Sequence, residues 1–233
     1  MNKKKIHNNS NDFWKQYSLR EDLTLNSLMN LEANAEKSKT KFIYEKKRLE
    51  SIIEYNSKWN LVDLGGGVGL WSEYFSEQIN KVTLVEREEK FIELAKQKIN
   101  NKNIEIIHSD VVDFNANKNS FDVVFISGVT LYLDDEYLLL LMKKVKNYLK
   151  PNGIFIHRDA YGINQQFLLD SKKSEDLKLD YSAVYRTRQE YDDVFINKNN
   201  LKKVFDEDMY PEETKLNVRK ETKLRIAIYK NIK

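Results

Sequence analysis

LVDLGGGVGLW, residues 61 to 71, decides the fold of this 233-residue chain. Leu61, Val62 and Leu64 read as the end of a buried strand, and Gly65, Gly66, Gly67 and Gly69 make a turn where a ligand can touch bare backbone. The LWSEYFSEQ after Gly69 opens an amphipathic helix. A strand, a glycine turn and a helix N-terminus together present free backbone N–H groups and a positive dipole end, which suits an anion or a carboxylate. The dinucleotide fingerprint needs a third small residue where this chain has Leu70, because Gly65 and Gly67 are the only pair in register for it, so NAD is disfavoured. Taken alone, the run also fits a plain tight turn between strand and helix.

The stretches that follow share one layout, an apolar strand ending in polar residues. KVTLVE (81–86) ends in Glu86, and an acid about 20 residues beyond such a turn can accept both hydroxyl hydrogens of a ribose. Glu88 and Glu89 in the same acidic run read as solvated. NIEIIHSD (103–110) ends in His108, Ser109 and Asp110. SFDVVFISGVTLYL (120–133) has the apolar core VVFI and then Ser127 and Gly128. LKPNGIFIHRDA (149–160) has the turn Pro151, Asn152, Gly153 feeding a strand that ends at His157, Arg158 and Asp159.

The spacing of Asp63, Gly65, Gly67 and Gly69 resembles motif I of the class I S-adenosylmethionine-dependent methyltransferases, D/E-x-G-x-G-x-G, and five consecutive elements agree with that family in order and spacing. The resemblance is strong over residues 60 to 160 and loose elsewhere. It implies an α/β three-layer sandwich with a seven-stranded, mostly parallel sheet and a reversed last strand, plus an N-terminal helical lid. It also implies S-adenosylmethionine as cofactor, with S-adenosylhomocysteine as product. Cofactor contacts are expected from Asp63, Gly65, Gly67, Gly69, Trp71, Glu86, Arg87, Asp110, Val111, Ser127 and Gly128. In the family an acid at Asp110 bonds the adenine amino group and the next backbone N–H meets the ring, while Ser127 and Gly128 lie beneath the methionine part. Asp63 is expected to orient the turn or the cofactor amine, and Gly66 to be the least constrained glycine.

With 41% apolar and 12% aromatic residues the chain can bury the core of one α/β domain. No stretch approaches the roughly 18 apolar residues of a membrane span. The polar start MNKKKIHNNSNDFW lacks the apolar region of a secretory signal, so a cytoplasmic location is expected. Zero cysteines exclude disulfides, and three scattered histidines, His7, His108 and His157, argue against zinc, so no metal is expected. A net charge of +3 raises the question of nucleic acid. Lys143, Lys144 and Lys146 fall on a helix beside LLLLM, where a solvated face explains them, and no basic stripe interleaved with aromatics is present, so a nucleic-acid partner is disfavoured.

The chain divides into an N-terminal helical arm or lid (1–59) and a methyltransferase domain (60–233) with a substrate-binding insertion at about 161–198. Helical patterns run near Phe13 to Leu31 and near Thr40 to Tyr55. Phe13, Trp14, Tyr17 and Arg20 either fold over the cofactor or anchor the arm. DDEYLLLLMKKVKNYL (134–149) has acids at its start, lysines near its end and Pro151 beyond, the marks of a helix. YSAVYRTRQEYDDVF holds a short alternating strand and then Thr187 with Glu190 three residues on, a capping box opening a helix. LKKVFDEDMY and KETKLRIAIYKNI read as two closing antiparallel strands, although KNNLKKVF lacks the glycine and aromatic pair that often precedes the sixth strand of the family.

In-line methyl transfer needs chiefly an aligned acceptor atom, and a base only if that atom is a hydroxyl. His157 is the base candidate, with Asp159 to orient it or to bind a cationic acceptor; a structural histidine is the alternative. Tyr17, Arg20, Tyr132, Arg158, Tyr161, Tyr185, Arg186 and Arg188 are the candidate substrate contacts. Arginines at the strand-to-helix junction suit a phosphate or carboxylate, or else pair with Glu190, Asp192 or Asp193. The set predicts a small polar, anionic acceptor: a sugar, a nucleotide sugar, or a phosphate or phosphoramidate group of a capsule or envelope precursor. Alternatives are an RNA or protein methyltransferase, or a catalytically silent cofactor-binding regulatory protein. Monomer and homodimer both remain open.

Overall fold

The structure, a computed structural model, describes residues 5–20, 34–173, 179–214, 216–217 and 219–232. Helices α1 (Lys5–Ser18) and α2 (Ala35–Ile52) precede β1 (Asn60–Leu64), α3 (Leu70–Ser76), β2 (Lys81–Glu86), α4 (Glu89–Lys98), β3 (Ile104–His108) and β4 (Phe121–Ser127). A helical turn at Thr130–Tyr132 leads to α5 (Asp135–Tyr148), β5 (Leu149–Gly162), the hairpin β6 (Phe167–Lys173) and β7 (Asp180–Tyr185), α6 (Arg188–Asp192), β8 (Leu201–Asp208) and β9 (Thr222–Asn231). Seven strands form one sheet in the order β3-β2-β1-β4-β5-β9-β8, with β3 and β8 at its edges. β9 pairs antiparallel with both neighbours and is the reversed strand; the other pairings are parallel, so the expected α/β architecture is present.

Parallel strands covered on both faces must be apolar on both, and these are. Val62, Leu64, Val85, Val124 and Ile126 pack against Leu138, Leu141, Met142 and Val145 of α5. On the other face Leu61, Val82, Val123 and Phe125 meet Leu49 of α2 and Trp71 and Phe75 of α3. Each such side chain, fully buried, contributes about 1.5–3 kcal/mol. The strand order reverses between β1 and β4, and open α/β sheets bind ligands in the crevice at that switch point.

A cover lies over that crevice. α1 sits on β7, where Ser10 Oγ donates to the Ser182 carbonyl at 3.3 Å and Phe13 meets Tyr181 edge-on at 5.2 Å. Phe13, Tyr17, Leu131, Tyr132, Leu169, Tyr181 and Tyr185 form a third apolar cluster between cover and sheet. The first helix begins at Lys5, eight residues before the apolar pattern that suggested it, and the part of that expectation covering residues 21 to 31 lies outside the described residues. α2 starts at Ala35 because Asn34 caps it, its Oδ1 accepting from Lys37 N at 2.9 Å. The capping box is formed: the Thr187 hydroxyl accepts from Glu190 N and the Glu190 carboxylate from Thr187 N.

One boundary differs. β5 runs on past Asp159 to Gly162, because Ala160, Tyr161 and Gly162 pair with Leu224, Lys223 and Thr222 of β9. His157, Arg158 and Asp159 therefore lie inside a strand and not at its tip.

Candidate active site

A cavity of about 600 Å³ opens at the switch point, between the carboxyl ends of the central strands and the cover. Small-molecule sites span about 300–1,000 Å³. Gly67 (φ 57°) and Gly128 (φ 67°) both line it, and a Cβ added to either would meet nothing within 4 Å. Left-handed backbone that only glycine adopts readily thus faces open space, where a ligand can approach bare peptide. Gly66 is not the unconstrained glycine: a Cβ there would lie 2.9 Å from both Asp63 Oδ2 and Leu84 Cγ. Gly65 lines the cavity, whereas Gly69 packs against Ile99 and Leu84, away from it.

Two buried acids stand behind this turn. Asp63, 1% exposed, accepts from the Ser72 hydroxyl at 2.7 Å. Burial pushes its carboxyl up to about 7, with Ser72 opposing and the neighbouring Glu86 charge adding. Glu86 Oε1 accepts from the backbone N–H of Arg87 (2.7 Å) and Glu88 (2.8 Å), and Oε2 from Gly67 N (2.8 Å). Its pKa is raised by burial against the pull of those three donors. Three of about four acceptor positions are filled, so grasping both hydroxyls of a ribose requires Glu86 to release one of these three donors.

Asp110 and Val111 line the same end. Asp110 Oδ1 accepts from Val112 N at 2.9 Å, and Oδ2 meets Arg87 Nη1 at 3.1 Å. Arg87 also bonds Glu88 and, across the cleft, Asn11 of α1, so it ties the cover to the acids. Trp71 lines the cavity with its indole N–H buried and without a partner among the described residues. An orphaned buried donor, a cradle of glycines and recessed carboxylates fit a ligand that is part anionic, part hydroxylated and part cationic.

The acceptor side departs from the sequence expectation. Arg158 is fully buried and forks onto Glu45 of α2, Nε to Oε2 at 2.6 Å and Nη2 to Oε1 at 2.8 Å, while Nη1 reaches Ser127 Oγ at 3.0 Å. Tyr210 donates to the same carboxylate. Arg186 binds the carbonyls of Thr130 (3.1 Å) and Leu133 (2.8 Å) and the carboxylate of Asp135 (2.7 Å), clamping the turn before α5. Arg188, half-exposed, pairs with Asp206. Arg158 still lines the cavity, but its charge is matched; Arg186, Arg188, Tyr161 and His157 do not line it. Tyr17 packs beneath the cover in the third cluster, with Arg20 over its ring at 5.6 Å.

Aromatics and one acid converge on the cavity instead. The hydroxyls of Tyr132, Tyr181 and Tyr185 form a chain, 3.1 and 3.2 Å apart, and burial pushes their pKa values up, so they stay protonated. Asp159 lines the cavity beside them, wholly buried, its Oδ2 accepting from the Thr130 hydroxyl at 2.6 Å. Among the described residues no lysine or arginine pairs with it. His157 lies behind Asp159, Nδ1 hydrogen-bonded to the Tyr161 hydroxyl (2.6 Å) and Nε2 to Thr130 Oγ1 (2.8 Å). Trp14, an arm aromatic that the sequence marks, also lines the cavity, as do Tyr181, Lys37, Lys41 and Arg219, which the sequence does not single out as contacts. Trp14 was visible as an arm aromatic and Tyr181 as one phase of the alternating YSAVY, but nothing local marks the cations.

The chain matches, over residues 2–219, the family described as AdoMet dependent proline di-methyltransferase. Phosphoethanolamine N-methyltransferase of Plasmodium falciparum is 24% identical over 165 residues, covering 70% of this chain and 61% of that protein. N-terminal Xaa-Pro-Lys N-methyltransferase 1 of Xenopus tropicalis is 26% identical over 136 residues, 57% of this chain and 59% of that one. The chain thus spans less than two thirds of these relatives. Phosphoethanolamine N-methyltransferase 1 of Haemonchus contortus, solved with phosphoethanolamine and S-adenosylhomocysteine, superposes with a TM-score of 0.72 at 17% identity, over 98% of this chain and 50% of that one. The glycine cradle, the acids at the strand ends, the reversed β9 and a family match over almost the whole length agree: this chain belongs to the S-adenosylmethionine-dependent methyltransferases, in the family described as AdoMet dependent proline di-methyltransferase.

Proposed function

We propose that the protein transfers a methyl group from S-adenosylmethionine to the nitrogen of a small polar amine that carries an anionic group at its other end. The observation that carries this reading is Asp159, a buried carboxylate facing the cavity with no lysine or arginine paired to it among the described residues and tyrosines around it. Such a site suits a cation, held by charge and by ring faces. The cofactor residues are Gly65 to Gly67 of the glycine turn with Asp63, Trp71, Glu86, Asp110 and Val111, above Ser127 and Gly128; Arg87 supports them through Asp110. Bound there, S-adenosylmethionine supplies a methyl group already activated by its sulfonium. Asp159 holds the acceptor ammonium and takes its proton, which frees the nitrogen lone pair for attack. Tyr132 and Tyr181 aim that nitrogen, and Trp14 of α1 helps exclude water. Arg219 and Tyr185 at the rim receive the anionic end. The similarity to phosphoethanolamine N-methyltransferases supports the acceptor class.

A second reading, methylation of a peptide's N-terminal amine, is favoured by the family match and uses the same Asp159. Incubation with labelled cofactor and either phosphoethanolamine or an Xaa-Pro-Lys peptide separates the two. Label on the small amine is expected. Asp159→Asn should lower kcat by about 100-fold or more, the usual contribution of a positioned proton acceptor, while S-adenosylhomocysteine affinity stays within a few-fold. Label on the peptide alone, or undiminished turnover in the variant, would overturn the reading.

A further inference from the structure

Behind Asp159 lies a hydrogen-bonded network that ordinary packing does not require. Thr130, wholly buried at the start of the turn after β4, places its hydroxyl against Asp159 Oδ2 (2.6 Å), His157 Nε2 (2.8 Å) and the Tyr191 hydroxyl (2.9 Å). A hydroxyl has one proton and two acceptor sites. An ionised Asp159 can only accept, so the Thr130 proton goes to it. Thr130 Oγ1 must then accept from both other partners, which assigns the His157 ring proton to Nε2 and makes Tyr191 a donor. Every capacity of the threonine oxygen is used.

We propose that Thr130 is the positioning residue of the acceptor site, and that the hydrogen bonds of His157, Tyr161 and Tyr191 reach Asp159 only through it. The proposal rests on the reading of Asp159 as the group that faces the acceptor. Apart from the Thr130 hydroxyl, the hydrogen bonds of this carboxylate come from Ala160 N, on its own strand, at 2.9 Å. His157 Nε2 stands 3.6 Å from Oδ2, beyond hydrogen-bond reach, so the imidazole meets the carboxylate by way of the threonine. The backbone of Thr130 is itself fixed, since Arg186 binds its carbonyl and that of Leu133. The same turn carries Tyr132 into the cavity wall, so one short segment sets both the acid and a ring that faces the acceptor. Tyr132 and Tyr185 from the cavity side, and Tyr161 and Tyr191 from behind, feel the Asp159 charge, and Arg186 and Arg225 stand just outside that ring of tyrosines. His157, expected from the sequence as the base, is thus the far support of another group.

The test compares the wild-type chain with Thr130→Val and Thr130→Ser. Nitrogen NMR of the ring-labelled protein should show His157 as the Nε2–H tautomer in wild type. The Asp159 carboxyl carbon, observed at fixed pH, should report its hydroxyl donor. Thr130→Val should move both resonances while S-adenosylhomocysteine affinity stays within about threefold. Thr130→Ser should restore both. A His157 or Asp159 resonance unmoved by Thr130→Val, or one moved equally by serine, overturns the proposal. Methyl transfer to phosphoethanolamine, read in parallel, should fall in kcat and not in KM for Thr130→Val and recover with serine. Lack of transfer by the wild type, with the resonances behaving as expected, counts against the proposed acceptor and leaves the network standing.

Discussion

Replacing Asp63 by asparagine should make the ligand-free protein less sensitive to rising pH. Asp63 is sealed beneath the glycine turn, and burial raises it from 3.8 to about 7. Between those values the folded chain holds a proton that the unfolded chain has released, so stability falls as pH rises through the window and levels off above 7. At about 1.36 kcal/mol per pH unit, the full interval corresponds to about 4 kcal/mol, of which about 3 kcal/mol falls between pH 5 and pH 8. Asparagine is neutral throughout and keeps an oxygen for the Ser72 donor. The variant should therefore lose about 3 kcal/mol less than wild type between pH 5 and pH 8. For a chain of this length that corresponds to about 6–12 °C in the change of Tm. Glu86, also raised by burial, contributes in the same direction to both proteins and cancels in the comparison. Urea unfolding at the two pH values, without cofactor, measures the difference. Equal losses in the two proteins would show that Asp63 is not held protonated, and would refute the desolvation argument.

Glu86→Gln leaves the fold in place but removes the negative charge at the tip of β2, and should weaken S-adenosylhomocysteine binding about 10- to 100-fold by calorimetry, the scale of a hydrogen bond to a charged group. Glu45→Ala strands the Arg158 guanidinium in the core; loss of about 3–5 kcal/mol in denaturant unfolding is expected. Arg188→Ala breaks a pair whose arginine is half-exposed, and the same measurement should register about 1 kcal/mol or less.

The sheet was readable because the apolar run of each of its first five strands is broken, at or near its carboxyl end, by a glycine or a polar residue: Gly65, Glu86, His108, Ser127 and, in β5, His157 to Asp159. Where β5 stops was not readable, since residues 160 to 162 are polar-neutral in pattern and become strand only by pairing with β9, some 60 residues on. Distance along the chain likewise hid the partners of the candidate substrate arginines. Arg186 and Arg188 looked available because only nearby acids, Glu190, Asp192 and Asp193, compete for them in sequence, and Arg158 because its distant partner leaves no local mark. Their partners are Glu45, Asp135 and Asp206, which the fold brings from other elements. Asp159 reads in sequence either as the group that orients His157 or as one that binds a cationic acceptor, and spacing alone could not show that Thr130 stands between the two. The residues lining the glycine-turn end of the cavity were more legible, because they come from strand ends and backbone, which a local pattern encodes.

The two rims of the sheet bear on how this chain keeps company with copies of itself. An unpaired strand offers a row of backbone donors and acceptors on which another chain can grow. β3 is five residues long and its Glu105 is ion-paired with Lys81 of β2, leaving a short landing strip. β8 is longer, but its register slips between Lys203 and Phe205, and Val204 stands out from the irregularity, half in solvent. Lys203 there is fastened to Asp192 and Asp206, and Arg225 to Asp206 and Asp208, so charge lines the margin. Both rims of the seven-stranded sheet resist continuous strand addition by another copy of the chain.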